Sequence, residues 1–397
     1  RINEGFDAYF DENGLNLFYQ NLDSMQLIHG ILDGNGNWSL SALDAGADLG
    51  PALSFSKDPS TGNIQYIYAT DSSNSFKIVR DLSGQENGRI SPSIDTITTG
   101  ATADSYALEA FNDLDLNCDG IDDLIVNKPE AYSSKGAIEI FWGSQTSISS
   151  IADLELSGSV SGDNFGSSIA NAGDVNGDGC DDLIVGSSGA VDSLGWPTGI
   201  TSVYFGGNHT HSNPNWTAEG EDSGDKFGGR VSSAGDVNND GFDDILITST
   251  GFTQSGGEGK VYLFLGSSIG PESSKTWSTR GYWQDVVQGW SLGAIGDVNG
   301  DGFDDIALGA AGSFSELTGA GRVEVYTGSS TGSMTYENHW TTTTSTTLLG
   351  YSVAGIGDVN RDGFDDFAFT EPLYDGYNAR GKVSIFLGSL SGIANTP

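Results

Sequence analysis

A nine-residue acidic loop recurs five times along this chain at a nearly constant spacing, and that repetition limits the fold more than any other feature. The copies begin at Asp115, Asp174, Asp236, Asp297 and Asp358, which lie 59, 62, 61 and 61 residues apart. Each has Asp at positions 1, 5, 8 and 9, Asn at position 3 and Gly at position 6, and each runs directly into a short apolar stretch. A length of 397 residues would otherwise suggest two or three domains. Self-similarity at a fixed period instead points to one stacked or ring-closed repeat architecture spanning 1–397.

The apolar runs after the loops, at 124–126, 183–185, 245–247, 306–308 and 367–369, are short and bounded by turns, so they read as strands buried on both faces. A second strand follows each, framed by glycines, at 136–143, 199–206, 259–266, 321–328 and 381–388. Upstream of each loop lies a small-residue segment such as 165–173, suited to a crowded innermost strand. Downstream, polar stretches carrying Trp216, Trp277 and Trp340 suit outer strands. Fifty-eight glycines and only 9 prolines fit many short strands joined by turns, and almost no helix is expected.

Four antiparallel strands per repeat make one propeller blade. Residues 1–100 lack the loop but keep the strand rhythm, at 15–20, 25–32, 38–43, 52–57, 63–70 and 76–82, which fits two degenerate blades. With five loop-bearing blades over 101–397, the expected fold is all-β, a seven-bladed β-propeller of four-stranded antiparallel blades. The last repeat leaves little chain for a fourth strand, so residues 6–10 are expected to complete that blade and lock the ring.

The loop itself points to a hard cation. Ca²⁺ takes 6 to 8 oxygen ligands in flexible geometry, and alternating side chains of a tight loop converge on one point. Positions 1, 3, 5 and 9 supply side-chain oxygens and position 7 a carbonyl. The five expected ligand sets are Asp115, Asn117, Asp119, Ile121 and Asp123; Asp174, Asn176, Asp178, Cys180 and Asp182; Asp236, Asn238, Asp240, Phe242 and Asp244; Asp297, Asn299, Asp301, Phe303 and Asp305; and Asp358, Asn360, Asp362, Phe364 and Asp366. An EF-hand would place a bidentate Glu at position 12, where this chain has Val126, Val185, Ile247, Leu308 or Phe369. About five Ca²⁺ are therefore expected, in loops that join strands. The position-7 side chains should point away from the ion into the packing between blades.

Composition excludes several partners. Sixteen basic against 54 acidic residues give a formal charge of −38, a surface that repels nucleic acid and anionic membranes. No apolar run approaches a membrane span, no signal-peptide pattern is present, and a start at Arg1 suggests a processed or excised segment of a larger chain or assembly. Cys118 and Cys180 sit in consecutive loops, which leaves open both a bridge between neighbouring repeats and two free packed thiols.

A Phe-Gly opening, the Asp-x-Asn-x-Asp-Gly-x-Asp-Asp loop and a loose Gly-Ala-Pro-like sequence after the next strand resemble FG-GAP repeats, those of the integrin α-subunit propeller, over about 101–397. Phe165-Gly166 and Phe227-Gly228 match the opening, whereas Tyr106-Ala107, Gln288-Gly289 and Leu349-Gly350 depart from it; Gly309-Ala310-Ala311 is nearest to the closing element. The resemblance implies a seven-bladed propeller with structural calcium in the loop between first and second strands, on the face opposite the ligand. It also implies adhesion or recognition at the cell surface or in the extracellular space. No inserted adhesion domain or leg segment accompanies it, so heterodimer signalling does not carry over.

Catalysis is not expected. The tandem aspartates all belong to the loops, the four histidines lack zinc spacing, and no nucleophile elbow, P-loop or dinucleotide fingerprint occurs. The variable loops between second and third strands carry Tyr132, Trp196, Phe252, Phe314, Tyr374 and Tyr377, aromatic rings suited either to anchoring a ligand or to packing their own loops. The expected function is a calcium-stabilised recognition or adhesion module binding a protein or carbohydrate. A lectin and a propeller-scaffold polysaccharide lyase or hydrolase are the alternatives.

Overall fold

Twenty-seven strands account for nearly all the regular structure of the computed structural model, among the described residues. Those residues are the eight strands that precede residue 100, as backbone only, and 110–393 apart from 145–148, 150, 208–212, 252–257, 282–286, 312–320, 343–346 and 373–380. Contacts divide the chain into two compact units, one of 2–166 with 206–212 and one of 167–205 with 213–397.

The first unit holds three four-stranded antiparallel sheets in sequential order. The first comprises β1 (Ile2–Asp11), β2 (Gly14–Asn21), β3 (Gln26–Leu32) and β4 (Trp38–Asp44), and the second β5 (Leu49–Lys57), β6 (Ile64–Thr70), β7 (Ser75–Arg80) and β8 (Ser93–Thr98). The third comprises β9 (Ala110–Leu114), β10 (Asp123–Lys128), β11 (Ala137–Phe141) and β12 (Leu154–Ser157). The first strands β1, β5 and β9 lie beside one another.

The other four sheets begin with β13 (Phe165–Gly173), β14 (Asp182–Ser187), β15 (Ile200–Tyr204) and β16 (Trp216–Glu219), followed by β17 (Phe227–Gly235), β18 (Asp244–Ser249), β19 (Lys260–Phe264) and β20 (Trp277–Arg280). The next comprises β21 (Ser291–Gly296), β22 (Asp305–Ala310), β23 (Arg322–Thr327) and β24 (Thr335–Thr341), and the last β25 (Val353–Gly357), β26 (Asp366–Glu371) and β27 (Lys382–Phe386). Here too the first strands β17, β21 and β25 are neighbours. Sequential four-stranded meanders with adjacent first strands are the β-propeller architecture. Each apolar run expected as a doubly buried strand is one: β10, β14, β18, β22 and β26 are buried at every residue.

Packing between sheets explains the tryptophans. Trp216 on β16 meets Phe264 of the next sheet edge-on at 5.2 Å, Trp277 on β20 meets Tyr326 at 5.0 Å, and Trp340 on β24 meets Phe386 at 4.5 Å. Each of these three outer strands thus wedges one indole against the third strand of its neighbour, closing apolar clusters between sheets.

The expected closure by residues 6–10 does not form. β1 pairs with β2, with Phe6 opposite Tyr19 and Phe10 opposite Leu15. An adjacent partner reached by a two-residue connection costs less loop-closure entropy than a distant one, and the last sheet has three strands among the described residues. Among the described residues helix is confined to Ala131–Ser134, in which Tyr132 and Ser133 take left-handed dihedrals. Both cysteines, Cys118 and Cys180, are disulfide-bonded, which resolves the two alternatives left by their spacing.

Candidate functional site

Each acidic loop joins the first strand of its sheet to the second, and its side chains fold inward onto backbone amides. In the loop at 174–182, Asp174 accepts from the N–H groups of Gly177, Asp178 and Gly179 at 2.7, 3.0 and 2.8 Å. Asn176 Oδ1 accepts from Asp178 N at 2.8 Å, and Asp178 Oδ1 accepts from Cys180 N at 3.0 Å. The bonds from positions 5, 6 and 7 recur in the other four loops, for instance from Asp301, Gly302 and Phe303. The glycine at position 6 holds φ between 85° and 91° in all five copies, a conformation in which a Cβ would be strained.

The position-9 aspartates, Asp123, Asp182, Asp244, Asp305 and Asp366, are fully buried. Their Oδ2 accepts from the N–H of position 2, at 3.0 Å from Val175 and 2.9 Å from Val237. Oδ1 of Asp123, Asp244, Asp305 and Asp366 accepts from the glycine that ends the third strand, Gly143, Gly266, Gly328 or Gly388, at 2.8 to 3.0 Å. One side chain therefore ties the loop, the second strand and the third. Burial, reinforced by the carboxylates at positions 1 and 5, pushes Asp123 up to about 7 and Asp244 and Asp305 to about 8, and raises Asp366.

Position 8 does something that sequence reasoning missed. Asp243 Oδ2 accepts from Asp174 N at 2.8 Å, Asp304 Oδ2 from Asp236 N at 2.9 Å, and Asp365 Oδ2 from Asp297 N at 3.1 Å. The same three residues donate their own N–H to the carbonyls of Asp174, Asp236 and Asp297. Successive loops at 174, 236, 297 and 358 are thereby clamped by reciprocal bonds. Where such a carboxylate arrives, the residue before position 1 must be glycine: a Cβ on Gly173, Gly235 or Gly296 would stand 2.2 Å from it. The signal was visible as the first of two tandem aspartates, one more than a single ion needs.

The position-7 rings take part in the same coupling. Phe242 lies over Gly177 and Phe364 over Gly300, close enough that a Cβ would fall 2.5 and 2.4 Å from the rings. These two of the five position-7 side chains point into the neighbouring loop.

Among the described residues no three His, Cys, Asp or Glu side chains are gathered as a finished cation cage. The fit to calcium rests on donor chemistry: carboxylates, a carboxamide and a carbonyl are all hard oxygens. Each carboxylate has about four lone-pair sites, so the amide bonds leave capacity for a cation, and a cation would offset the burial that raises the position-9 groups.

Of the aromatic residues expected on the variable loops, Tyr132 is 54% exposed and donates to Glu155 at 3.0 Å, and Trp196 is 58% exposed. Phe252, Phe314, Tyr374 and Tyr377 lie outside the described residues. No helix among the described residues is long and apolar enough to cross a membrane.

The FG-GAP repeat model matches four segments, 165–203, 216–264, 289–326 and 349–386. Integrin alpha-5 of Xenopus laevis is 30% identical over 220 residues, 53% of this chain and 20% of that protein. Integrin alpha-V of Gallus gallus is 31% identical over 211 residues, 51% of this chain and 19% of that one, and integrin alpha-8 of Gallus gallus 28% over 303, 66% and 26%. The matches span about a fifth to a quarter of the length of these curated relatives. Among solved structures, a mutant of AofleA from Arthrobotrys oligospora superposes with a TM-score of 0.45 at 10% identity, covering 85% of this chain and 86% of that one, too weak a likeness to bear on function. Four matched repeats, the loop that defines them and relatives near 30% identity agree: the chain is an integrin-α-like FG-GAP repeat protein.

Proposed function

We propose that this chain is a calcium-stabilised recognition and adhesion module of the extracellular space or cell surface, built as one seven-bladed propeller over 1–397. In this reading Ca²⁺ occupies the five loops through positions 1, 3, 5, 7 and 9 and stabilises the scaffold, while a protein or glycan ligand binds the variable loops between second and third strands without turnover. The observation that carries it is the reciprocal clamp between successive loops. A cation bound in one loop would hold in place the amides that receive the next, so the metal acts on the assembly of sheets as a whole. Similarity to integrin α-subunits supports the recognition role, and the exposed Tyr132 and Trp196 supply anchors of the kind found at binding surfaces.

The test is capture by the immobilised chain from panels of extracellular matrix proteins and glycans, in calcium and in chelator. Saturable binding that depends on calcium, lost in Trp196→Ala or Tyr132→Ala, is expected. Release of new reducing or unsaturated sugar ends would replace this reading with an enzyme.

A further inference from the structure

Two neighbouring sheets of the second unit enclose a groove of about 370 Å³ near their outer edges, within the span of about 300–1,000 Å³ usual for small-ligand sites. One wall is β20, through Trp277 and Thr279; the other is β23 and β24, through Arg322, Glu324, Tyr326 and Tyr336. Strand alternation puts residues 322, 324 and 326 on one face of β23, and the register sets Tyr336 directly opposite Tyr326. The rings of Tyr326 and Tyr336 meet edge-on at 5.8 Å, and Tyr336 remains 45% exposed.

The Trp277–Tyr326 contact is part of the scaffold, since the tryptophans of the other outer strands do the same. Glu324 is not. The third residue after the framing glycine is Ser202 in β15, Tyr262 in β19 and Ser384 in β27, so a buried acid at this place is no requirement of the repeat. In β11 the corresponding Glu139 is ion-paired to Lys128 on the adjoining strand. Glu324 is 2% exposed; its Oε2 accepts from Gln288 Nε2 at 2.5 Å and from the Tyr326 hydroxyl at 2.8 Å. Its Oε1 is ion-paired with Arg322 Nε at 2.6 Å, in a geometry that is not aligned as a hydrogen bond. A buried ion pair without aligned hydrogen bonds keeps lone-pair and N–H capacity that a further polar partner can use.

We infer that this groove is a binding site for a neutral saccharide residue, which stacks its apolar face on Tyr336 and exchanges hydroxyl hydrogen bonds with the Arg322–Glu324 pair. Arg322 and Glu324 together carry no net charge, and Arg322 already faces the carboxylate that would otherwise attract a cation. The −38 charge of the chain opposes anionic glycans. Vicinal hydroxyls donate to a carboxylate and accept from a guanidinium at once, and an exposed phenol ring offers a flat apolar face. The site stands apart from the variable loops and does not depend on what they bind.

The experiment titrates the full chain with glucose, galactose, mannose and N-acetylglucosamine, each up to 50 mM, followed by saturation-transfer NMR and tryptophan fluorescence. At least one sugar is expected to bind saturably. Glu324→Gln and Tyr336→Ala should each weaken it about tenfold or more, the scale of one charge-assisted hydrogen bond or one stacking ring. Trp196→Ala and Tyr132→Ala should leave it unchanged, which separates this site from the proposed loop face. If Glu324→Gln fails to fold, the exposed Tyr336→Ala decides. No saturable binding of any of the four, binding unaltered by Tyr336→Ala, or choline bound at the groove in place of sugar would overturn the inference.

Discussion

Removing one position-8 carboxylate tests how the loops cooperate, and Asp304→Ala is the clearest case. Asp304 Oδ2 accepts from Asp236 N at 2.9 Å, while its backbone N–H returns a bond to Asp236 O at 3.2 Å. The substitution keeps the backbone bond and deletes the charge-assisted one, worth about 1.5–3 kcal/mol. An opposing term exists. Burial and the negative charges of Asp236, Asp243 and Asp365 raise the Asp304 carboxyl, so in chelator its deletion also relieves desolvation and repulsion. Bound calcium would cancel that repulsion and leave the hydrogen-bond loss uncompensated. In calcium the melting temperature should therefore fall by about 3–12 °C, taking about 2–4 °C per kcal/mol for a unit of this size, and in chelator by clearly less. Scanning calorimetry of wild type and variant in 10 mM calcium and in EDTA measures both. An Asp304→Ala melt equal to wild type in calcium, or a larger loss in EDTA than in calcium, would refute the coupling.

Three further outcomes follow from the same geometry. Asp123, Asp244 and Asp305 have folded-state values raised from 3.8 to about 7, 8 and 8, so without metal their contribution to stability is fully present below pH 4 and is lost as pH rises through 7 to 8. Calcium needs these groups ionised, so urea unfolding in EDTA should show the calcium-free chain losing stability between pH 5 and 8, while calcium affinity rises over the same range with proton release visible by calorimetry in two buffers. Gly296→Ala would thrust a Cβ to 2.2 Å from Asp365 Oδ2 at a φ of 70° and should cost about 2 kcal/mol or more by denaturant unfolding, whereas Gly363→Ala, with open space around it, should cost only the strain of its φ. Trp340→Ala removes a ring packed on Phe367, Phe369 and Phe386 and should cost about 3 kcal/mol, the lower end for a tryptophan because its indole is only half-buried.

Much of the scaffold was legible because its signals are local. A loop of fixed composition announces the turn, and the apolar or glycine-framed segments on either side announce strands of period two; 165–173 coincides with β13, and 124–126 lies inside β10. What stayed hidden depends on which strand meets which. Residues 6–10 carry strand character, but nothing local says that they belong to the first sheet rather than the last. Position 8 shows the same limit: its carboxylate is read as part of one loop, while its partner amide lies 68 or 69 residues earlier. Glu324 is one polar residue of a glycine-framed strand in the sequence, and only the fold sets Trp277, from the preceding repeat, across the groove from it.

The central claim, that the five loops are metal staples, meets its most direct test in calcium titration of chelator-treated protein, with the melting temperature read at each step. The account predicts about five bound Ca²⁺ and a melt that climbs as they bind, since a site held at 100 times its dissociation constant adds about 2.7 kcal/mol. Titration without heat or uptake, and a melt unmoved between EDTA and 10 mM calcium, would contradict it.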